Sequence, residues 1–306
     1  MLYKDKKYYI EEINFFDELT RKQSLDLLTR VFKISTFTED WWNWKYIKSP
    51  FGVAYGVCAR DNETQNIVAL RIVWLWKLSN GGKEIPAYQM VDTVTDPNYQ
   101  RMGIFKNLTL AVLKHIDGNL IFNFPNHNSA PQNLKLGWID NGNIPWLLCF
   151  SIPYISFNKN TSHGIFTEDF DQKVSYENYD MSCSKGFLTQ WNNDLLKWRF
   201  AQNPLCTYYY YRYEETLIIY RIDSKKGLKM ATVVFLSKLD KIILHAFSSF
   251  LFIKGILCFR YNAFNDYKYN FLENHTLNIK IKGQFRYFTR DLKNSIHLNI
   301  GDTDFL

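Results

Sequence analysis

Residues 91–108 read Val-Asp-Thr-Val-Thr-Asp-Pro-Asn-Tyr-Gln-Arg-Met-Gly-Ile-Phe-Lys-Asn-Leu. The stretch has the pattern of a strand, a sharp loop with one glycine, and a helix. Strand-forming residues precede the loop, Asp96-Pro97 punctuates it, and Leu108, Val112 and Ile116 follow at helical spacing. A helix beginning near Gly103 or Ile104 leaves its first amides without intrahelical partners. Those amides, together with the positive end of the helix dipole, make an anion site. Gly103 has no Cβ and lets backbone approach a phosphate closely. Arg101 and Lys106 add positive charge. The plain alternative is a strand-to-helix turn that uses glycine for geometry alone.

The surrounding pattern predicts a mixed α/β chain. Residues 20–32 carry Leu25, Leu28, Val31 and Phe32 on one helical side, and Thr38-Glu39-Asp40 can start a second helix. Residues 53–59, 67–78 and 87–95 read as strands, with the turn Asn80-Gly81-Gly82-Lys83 between the last two. Residues 104–116 form the next helix. Leu120-Ile121-Phe122-Asn123-Phe124-Pro125-Asn126-His127-Asn128-Ser129 reads as an apolar strand and polar turn, then a short helix ends at Lys135-Leu136-Gly137-Trp138. Helices and strands in this order predict layered α/β or α+β packing.

A motif then repeats. Trp44-Lys45-Tyr46-Ile47-Lys48-Ser49-Pro50 returns as Trp198-Arg199-Phe200-Ala201-Gln202-Asn203-Pro204, 154 residues on. Each copy follows a helix-like segment and precedes strand-like ones, at 53–59 in the first half and at 207–213 and 217–222 in the second. Two similar halves in tandem are expected, residues 1–155 and 156–306.

Bulk properties narrow the class. With 306 residues, 46% of them hydrophobic, the chain can build a packed core and is not of disordered composition. The net charge of +7 includes no Lys/Arg run, so it suits a polyanionic small molecule as well as nucleic acid. Five scattered cysteines without Cys-x-x-Cys spacing give no disulfide framework or metal site, and a reducing cytoplasm is expected. The first residues lack the apolar core of a signal peptide, and the apolar run at 244–259 is broken by Lys254. No membrane insertion is expected.

The loop Gln100-Arg101-Met102-Gly103-Ile104-Phe105 fits Gln/Arg-x-x-Gly-x-small. It resembles the acyl-CoA pyrophosphate loop of the GNAT N-acyltransferases. "Leu-Gly-aromatic" at 136–138 is similar to that family's closing motif. Phe124-Pro125-Asn126 with Ser129, and the tail Ile300-Gly301-Asp302-Thr303-Asp304-Phe305, resemble a bacterial branch linked to surface-polysaccharide genes. The likeness is best over residues 35–150. It implies two tandem GNAT-like mixed-sheet domains flanked by helices, acyl-CoA (acetyl-CoA or 3-hydroxybutyryl-CoA) as co-substrate, and a nucleotide-linked amino sugar, commonly dTDP-linked, as acceptor. The product would feed O-antigen or capsule synthesis. The second half has no such loop, its nearest glycine being Gly255 inside an apolar run, so acyl-CoA is expected in the first half alone.

The same resemblance assigns roles. Thr93, Val94, Gln100, Arg101, Met102, Gly103, Ile104, Phe105 and Lys106 would hold the cofactor, with Asn126, Asn128 and Ser129 on the other side. The amide of Val94 is the candidate oxyanion donor. Asp92 and His127 are the candidate bases; both also fit purely structural or exposed-turn roles. Many relatives place a tyrosine acid four residues before the final Gly-aromatic pair, where this chain has Asn133, whose amide is not acidic enough to act as a proton donor in catalysis. For the acceptor, Trp41, Trp42, Trp44, Tyr46, Trp198, Arg71 and Arg199 are candidates to stack a base and hold a diphosphate, against the plain reading that both repeats are packing elements. Two further classes stay open: an aminoacyl-tRNA-dependent transferase, which also pairs two such halves, and a non-catalytic GNAT-like binding protein.

Overall fold

The computed structural model describes residues 2–154, 161–170, 186–225, 227–264, 266–283, 286–290 and 296–303. In chain order the elements are β1 (Tyr3–Lys4), β2 (Tyr8–Glu12), α1 (Glu18–Phe32), α2 (Glu39–Trp42), β3 (Tyr55–Asp61), β4 (Ile67–Asn80), β5 (Lys83–Thr95), α3 (Ile104–His115), β6 (Leu120–Asn123), α4 (Ala130–Lys135), β7 (Ile139–Asn143), β8 (Trp146–Phe150) and β9 (Thr161–Ile165). They continue with β10 (Phe187–Thr189), α5 (Asn193–Leu196), β11 (Tyr209–Tyr213), β12 (Thr216–Lys225), β13 (Leu228–Leu236), α6 (Lys241–Ile253), β14 (Cys258–Phe264), α7 (Tyr267–His275), β15 (Asn278–Ile281), β16 (Arg286–Arg290) and β17 (Ile296–Asn299).

The chain divides into two compact units, each discontinuous. The first comprises Met1–Lys77, Ile85–Asn141 and Tyr287–Leu292; the second comprises Leu78–Glu84, Gly142–Arg286 and Lys293–Leu306. The contiguous halves expected from the repeat differ from this: Leu78–Glu84 belongs to the second unit, and a strand from each side of the midpoint joins the other unit. β16, late in the chain, pairs antiparallel with β6 (Phe288↔Asn123, Arg290↔Ile121). β8, early in the chain, lies between β14 and β15 (Cys258↔Phe150, Cys149↔Asn278). Each sheet needs a strand beside its last parallel strand, and the chain supplies each from the other side of the sequence midpoint.

In the first unit, β2, β3 and β4 are antiparallel neighbours, while β5 and β6 run parallel across the α3 connection. A parallel pair requires such a crossover. α3 buries Ile104, Leu108, Val112 and Ile116 with Val57, Val73, Phe288 and Trp138 in one core. The second unit repeats the plan. β11, β12 and β13 are antiparallel, β13 and β14 run parallel, and α6 covers them with Leu244, Phe247 and Leu251.

The repeated motif has one structure in both places. α2 passes into a π-helical turn at Asn43–Ile47, and α5 into another at Lys197–Ala201. Both helices are capped by a side chain: Thr38 Oγ1 accepts from the Trp41 amide at 3.2 Å, and Asn192 Oδ1 from the Leu195 amide at 2.8 Å. The apolar run at 244–259 is not one element. α6 stops at Ile253 and Gly255 turns the chain with φ 73°, a left-handed value that favours glycine. Of the tail motif, Asp304 and Phe305 lie outside the described residues. Among the described residues, no helix is long and apolar enough to cross a membrane.

The N-terminus of α6 is closed by Asp240, whose Oδ1 accepts from the Ile243 amide at 2.9 Å. Asp240→Ala removes that cap and is expected to cost about 1 kcal/mol. Urea unfolding of the variant, followed by circular dichroism, checks this as a lowered midpoint.

Candidate active site

The loop that enters α3 is held from behind. Asp96 is buried; its amide donates to Val68 O at 2.8 Å, its Oδ1 accepts from the Asn98 amide at 2.9 Å, and Arg30 meets its Oδ2 at 2.8 Å. A single 3-10 turn, Pro97–Tyr99, follows. The Tyr99 hydroxyl donates to Asp61 Oδ2 at 2.7 Å, across to the end of β3. Asp61 Oδ1 also accepts from the Thr64 amide at 2.7 Å. The Thr64 amide, then the Tyr99 hydroxyl, hold the Asp61 carboxyl down at about 2.

Two left-handed residues then set the loop, Arg101 with φ 64° and Gly103 with φ 75°. A Cβ on Gly103 would meet nothing within 4 Å. Backbone conformation is therefore what demands glycine there. α3 starts at Ile104 with Gly103 as its cap residue, and no side chain caps it among the described residues. Gln100, Arg101 and Lys106 are exposed, and Met102 and Phe105 are half-buried. The helix N-terminus at this loop has no side-chain cap among the described residues, and Arg101 and Lys106 are exposed beside it. The equivalent junction of the second unit, β13 to α6, has no glycine, and Asp240 puts a carboxylate on the helix amides. An anion is disfavoured there on both counts.

β5 and β6 stay paired only from Ala87↔Leu120 to Met90↔Asn123. β5 runs on through Asp92, Thr93 and Val94 to Thr95, while β6 ends and the chain leaves through Phe124-Pro125. Thr93 is half-buried and Val94 is 4% exposed. Beyond β6, Asn126 Oδ1 accepts from the Asn128 and Ser129 amides, both at 3.0 Å, and from Ser129 Oγ at 3.2 Å. Asn126 therefore shapes its own turn. His127 and Asn128 are exposed, and their side chains make no hydrogen bond among the described residues.

Asp92 is the centre of a cluster. Its Oδ2 accepts from the Tyr46 hydroxyl at 2.7 Å and pairs with Lys45 Nζ at 2.8 Å. Side-chain exposure is 7% for Lys45 and 15% for Asp92. The ammonium also lies over Trp41 at 5.1 Å, Trp74 at 5.6 Å and Tyr46 at 5.9 Å from the ring centroids. The π-helical turn directs consecutive residues to one carboxylate, and its backbone is tied to the sheet where Trp74 Nε1 donates to Lys45 O at 2.8 Å. Lys45 escaped the candidate list. Its signal was a cation, Lys45 or Arg199, kept between two aromatic residues in both copies of the repeat, because a buried cation needs a partner.

The aromatic acceptor candidates require correction. Trp41, Trp42, Trp44, Tyr46 and Trp198 are each at most 4% exposed. Trp42 Nε1 donates to Phe15 O at 3.1 Å, and its ring packs edge-on to Tyr46 at 4.7 Å. These side chains fill cores and present no face for stacking a base. Arg199 is fully buried and donates from Nε to Gly301 O at 3.1 Å and from Nη2 to Thr303 O. Its place is inside the second unit, on backbone carbonyls, so it does not face a diphosphate. Arg71 is 1% exposed and lies 5.6 Å from the Phe105 ring centroid, beneath the first turn of α3. It adds positive charge behind the loop. Asn133 is fully buried in α4, with Nδ2 donating to Ser129 O at 2.9 Å, and it stabilises that turn.

No protein-family model matches this sequence, and no curated protein matches it. Solved structures match its fold. A GCN5-related N-acetyltransferase from Kribbella flavida superposes with a TM-score of 0.67 at 14% identity, covering 92% of this chain and 71% of that one. A conserved protein of unknown function from Enterococcus faecalis V583, described as a probable N-acyltransferase, gives 0.61 at 13% identity, with coverage of 92% and 71%. Saccharomyces cerevisiae N-myristoyltransferase with bound myristoyl-CoA gives 0.52 at 10% identity, with coverage of 93% and 78%. At such identities the likeness concerns the fold. This chain has a mixed α/β fold of two tandem GNAT-like units.

Two outcomes follow for the site's framework. Lys45→Met leaves Asp92 buried beside an apolar stem and is expected to destabilise by about 3 kcal/mol, with Lys45→Met/Asp92→Leu recovering part of the loss in a double-mutant cycle. Tyr99→Phe removes the Asp61 contact. A carboxylate lowered in the folded state stabilises fully above its unfolded value of about 3.9 and loses that contribution as pH falls through its folded value. The stability gap between wild type and Tyr99→Phe should therefore be widest above pH ~4 and close towards pH ~2, read from urea midpoints across that range.

Proposed function

We propose that this chain is an acyl-CoA-dependent N-acyltransferase acting on the amine of a nucleotide-linked amino-deoxy sugar. A dTDP-linked acceptor, an acetyl or 3-hydroxybutyryl donor, and a cytoplasmic role in O-antigen or capsule synthesis complete the reading. The observation that carries it is the junction of β5 with α3. There Arg101 and Gly103 deliver an uncapped helix N-terminus to the end of a strand whose parallel partner leaves it after Met90. Acyl-CoA suits both features. Its pyrophosphate matches the helix amides, and its amide-bearing arm can pair with a strand that continues alone.

The reaction asks little more of the protein. A neutral amine attacks the thioester carbonyl, the C–N bond forms, the C–S bond breaks, and the departing thiolate takes up a proton. In this reading the Val94 amide, on the overhanging part of β5, donates to the oxyanion. Lys45 and Tyr46 both hold Oδ2 of Asp92, which leaves Oδ1 to accept from the acceptor amine. His127, exposed at the turn after β6, is the second group able to take the amine's proton. With Asn133 buried in a structural turn, the thiolate's proton comes from another group or from water.

The test is release of CoA thiol from acetyl-CoA and 3-hydroxybutyryl-CoA in the presence of dTDP- and UDP-linked amino sugars. Acceptor-dependent release with one pair is the expected outcome. Acyl-CoA binding without turnover on any sugar would favour a different amine or a binding role. Gly103→Glu puts a charged side chain at a left-handed position in the anion site, and it is expected to abolish acyl-CoA binding while the circular dichroism spectrum stays unchanged. Unchanged affinity in that variant would remove the loop assignment. If Asp92→Asn and His127→Ala both turn over at near-normal rates, neither side chain is an essential base.

A further inference from the structure

In the second unit, β13 and β14 stand where β5 and β6 stand in the first. They pair in parallel from Met230↔Cys258 to Val233↔Tyr261. The two strand ends match in detail: Asp96 donates its amide to Val68 O at 2.8 Å, and Ser237 donates its amide to Leu217 O at 2.9 Å. Counting back four residues from each gives Asp92 and Val233, so the carboxylate of the first unit has an apolar counterpart.

Beyond this parallel stretch β14 continues, and here the units differ. Ala263 and Phe264 pair antiparallel with Asn299 and Leu298 of β17. The chain then makes a 3-10 turn, Ile300–Asp302, which packs against both β13 and β14 at the fork where the two strands part. Ile296, Leu298, Asp302 and Thr303 are no more than 2% exposed. Arg199, the repeat counterpart of Lys45, supplies the anchor by donating to the carbonyls of Gly301 and Thr303. A guanidinium suits this task because its planar fork reaches two carbonyls of one crossing segment.

We infer that residues 296–303 are a built-in ligand of the second unit. The strand 296–299 pairs with β14 and, on its other side, with β10, and the turn 300–302 closes the fork between β13 and β14; this segment fills the place that the acyl-CoA arm takes between β5 and β6. Arg199 is the residue that fixes it, and the protein holds one acyl-CoA per chain. This inference rests on the acyl-CoA reading above.

Titration calorimetry of the full-length protein with acetyl-CoA, combined with amide hydrogen exchange, tests it. One equivalent should bind to the wild type and none to Gly103→Glu. Amides of residues 296–303 should be as protected in the wild type as those of β14. Arg199→Lys, which cannot span both carbonyls, should speed their exchange on the order of tenfold and leave residues 120–123 unchanged. Two equivalents in the wild type, binding that survives Gly103→Glu, or free-chain exchange at 296–303 would each overturn the inference. Where Arg199→Lys fails to fold, wild-type exchange decides. No acetyl-CoA binding at all would instead sink the acyl-CoA reading, and free-chain exchange would still be needed to unseat the tail from its fork.

Discussion

Two parallel strands that separate leave backbone donors and acceptors facing each other across a widening fork, and inside a protein such groups need partners. Both units are built on this constraint. Each strand pair is held together for a few residues by a covering helix and then released. In the first unit release comes at Met90 and Asn123, just ahead of the loop that turns into α3. In the second it comes at Val233 and Tyr261, and β17 meets the continuing strand.

The two copies of the repeated motif show how one scaffold position serves different ends. A short helix, a π-helical turn and a buried tryptophan recur, and each turn aims one cation inward. Burying a cation is costly unless it finds acceptors. Lys45, a compact ammonium, sits against a carboxylate and among aromatic faces. Arg199, a planar fork, sits against two carbonyls. The residue at each position fits the acceptors it meets, so exchanging the two would be conservative in charge alone.

Much of this was legible in the sequence where local chemistry decides. The Gln100-to-Gly103 pattern marked the loop, Thr38 marked a helix start, and the duplicated Trp-Lys/Arg-aromatic motif marked the tandem plan. Tertiary choices were not legible. Aromatic density around Trp41 to Tyr46 reads the same whether the rings face solvent or fill a core, and here they fill it. Asp92 was visible as a candidate, but its partners lie 46 and 47 residues away and are reached only through the π-helical turn. Asn133 stood out by departing from an expected tyrosine, and its actual work, a bond back to Ser129, is local and silent in the sequence. The exchange of β8 and β16 carries no sequence signal, since strand composition does not name a partner.

That exchange bears on how the protein comes into being. A ribosome delivers the first unit's loop, helix and most of its sheet early, yet the strand that pairs with β6 is Arg286–Arg290. Until those residues emerge, the edge of β6 stays without its antiparallel neighbour, exposed to wrong pairing. The first unit's sheet is therefore complete only after most of the second unit's residues have been made.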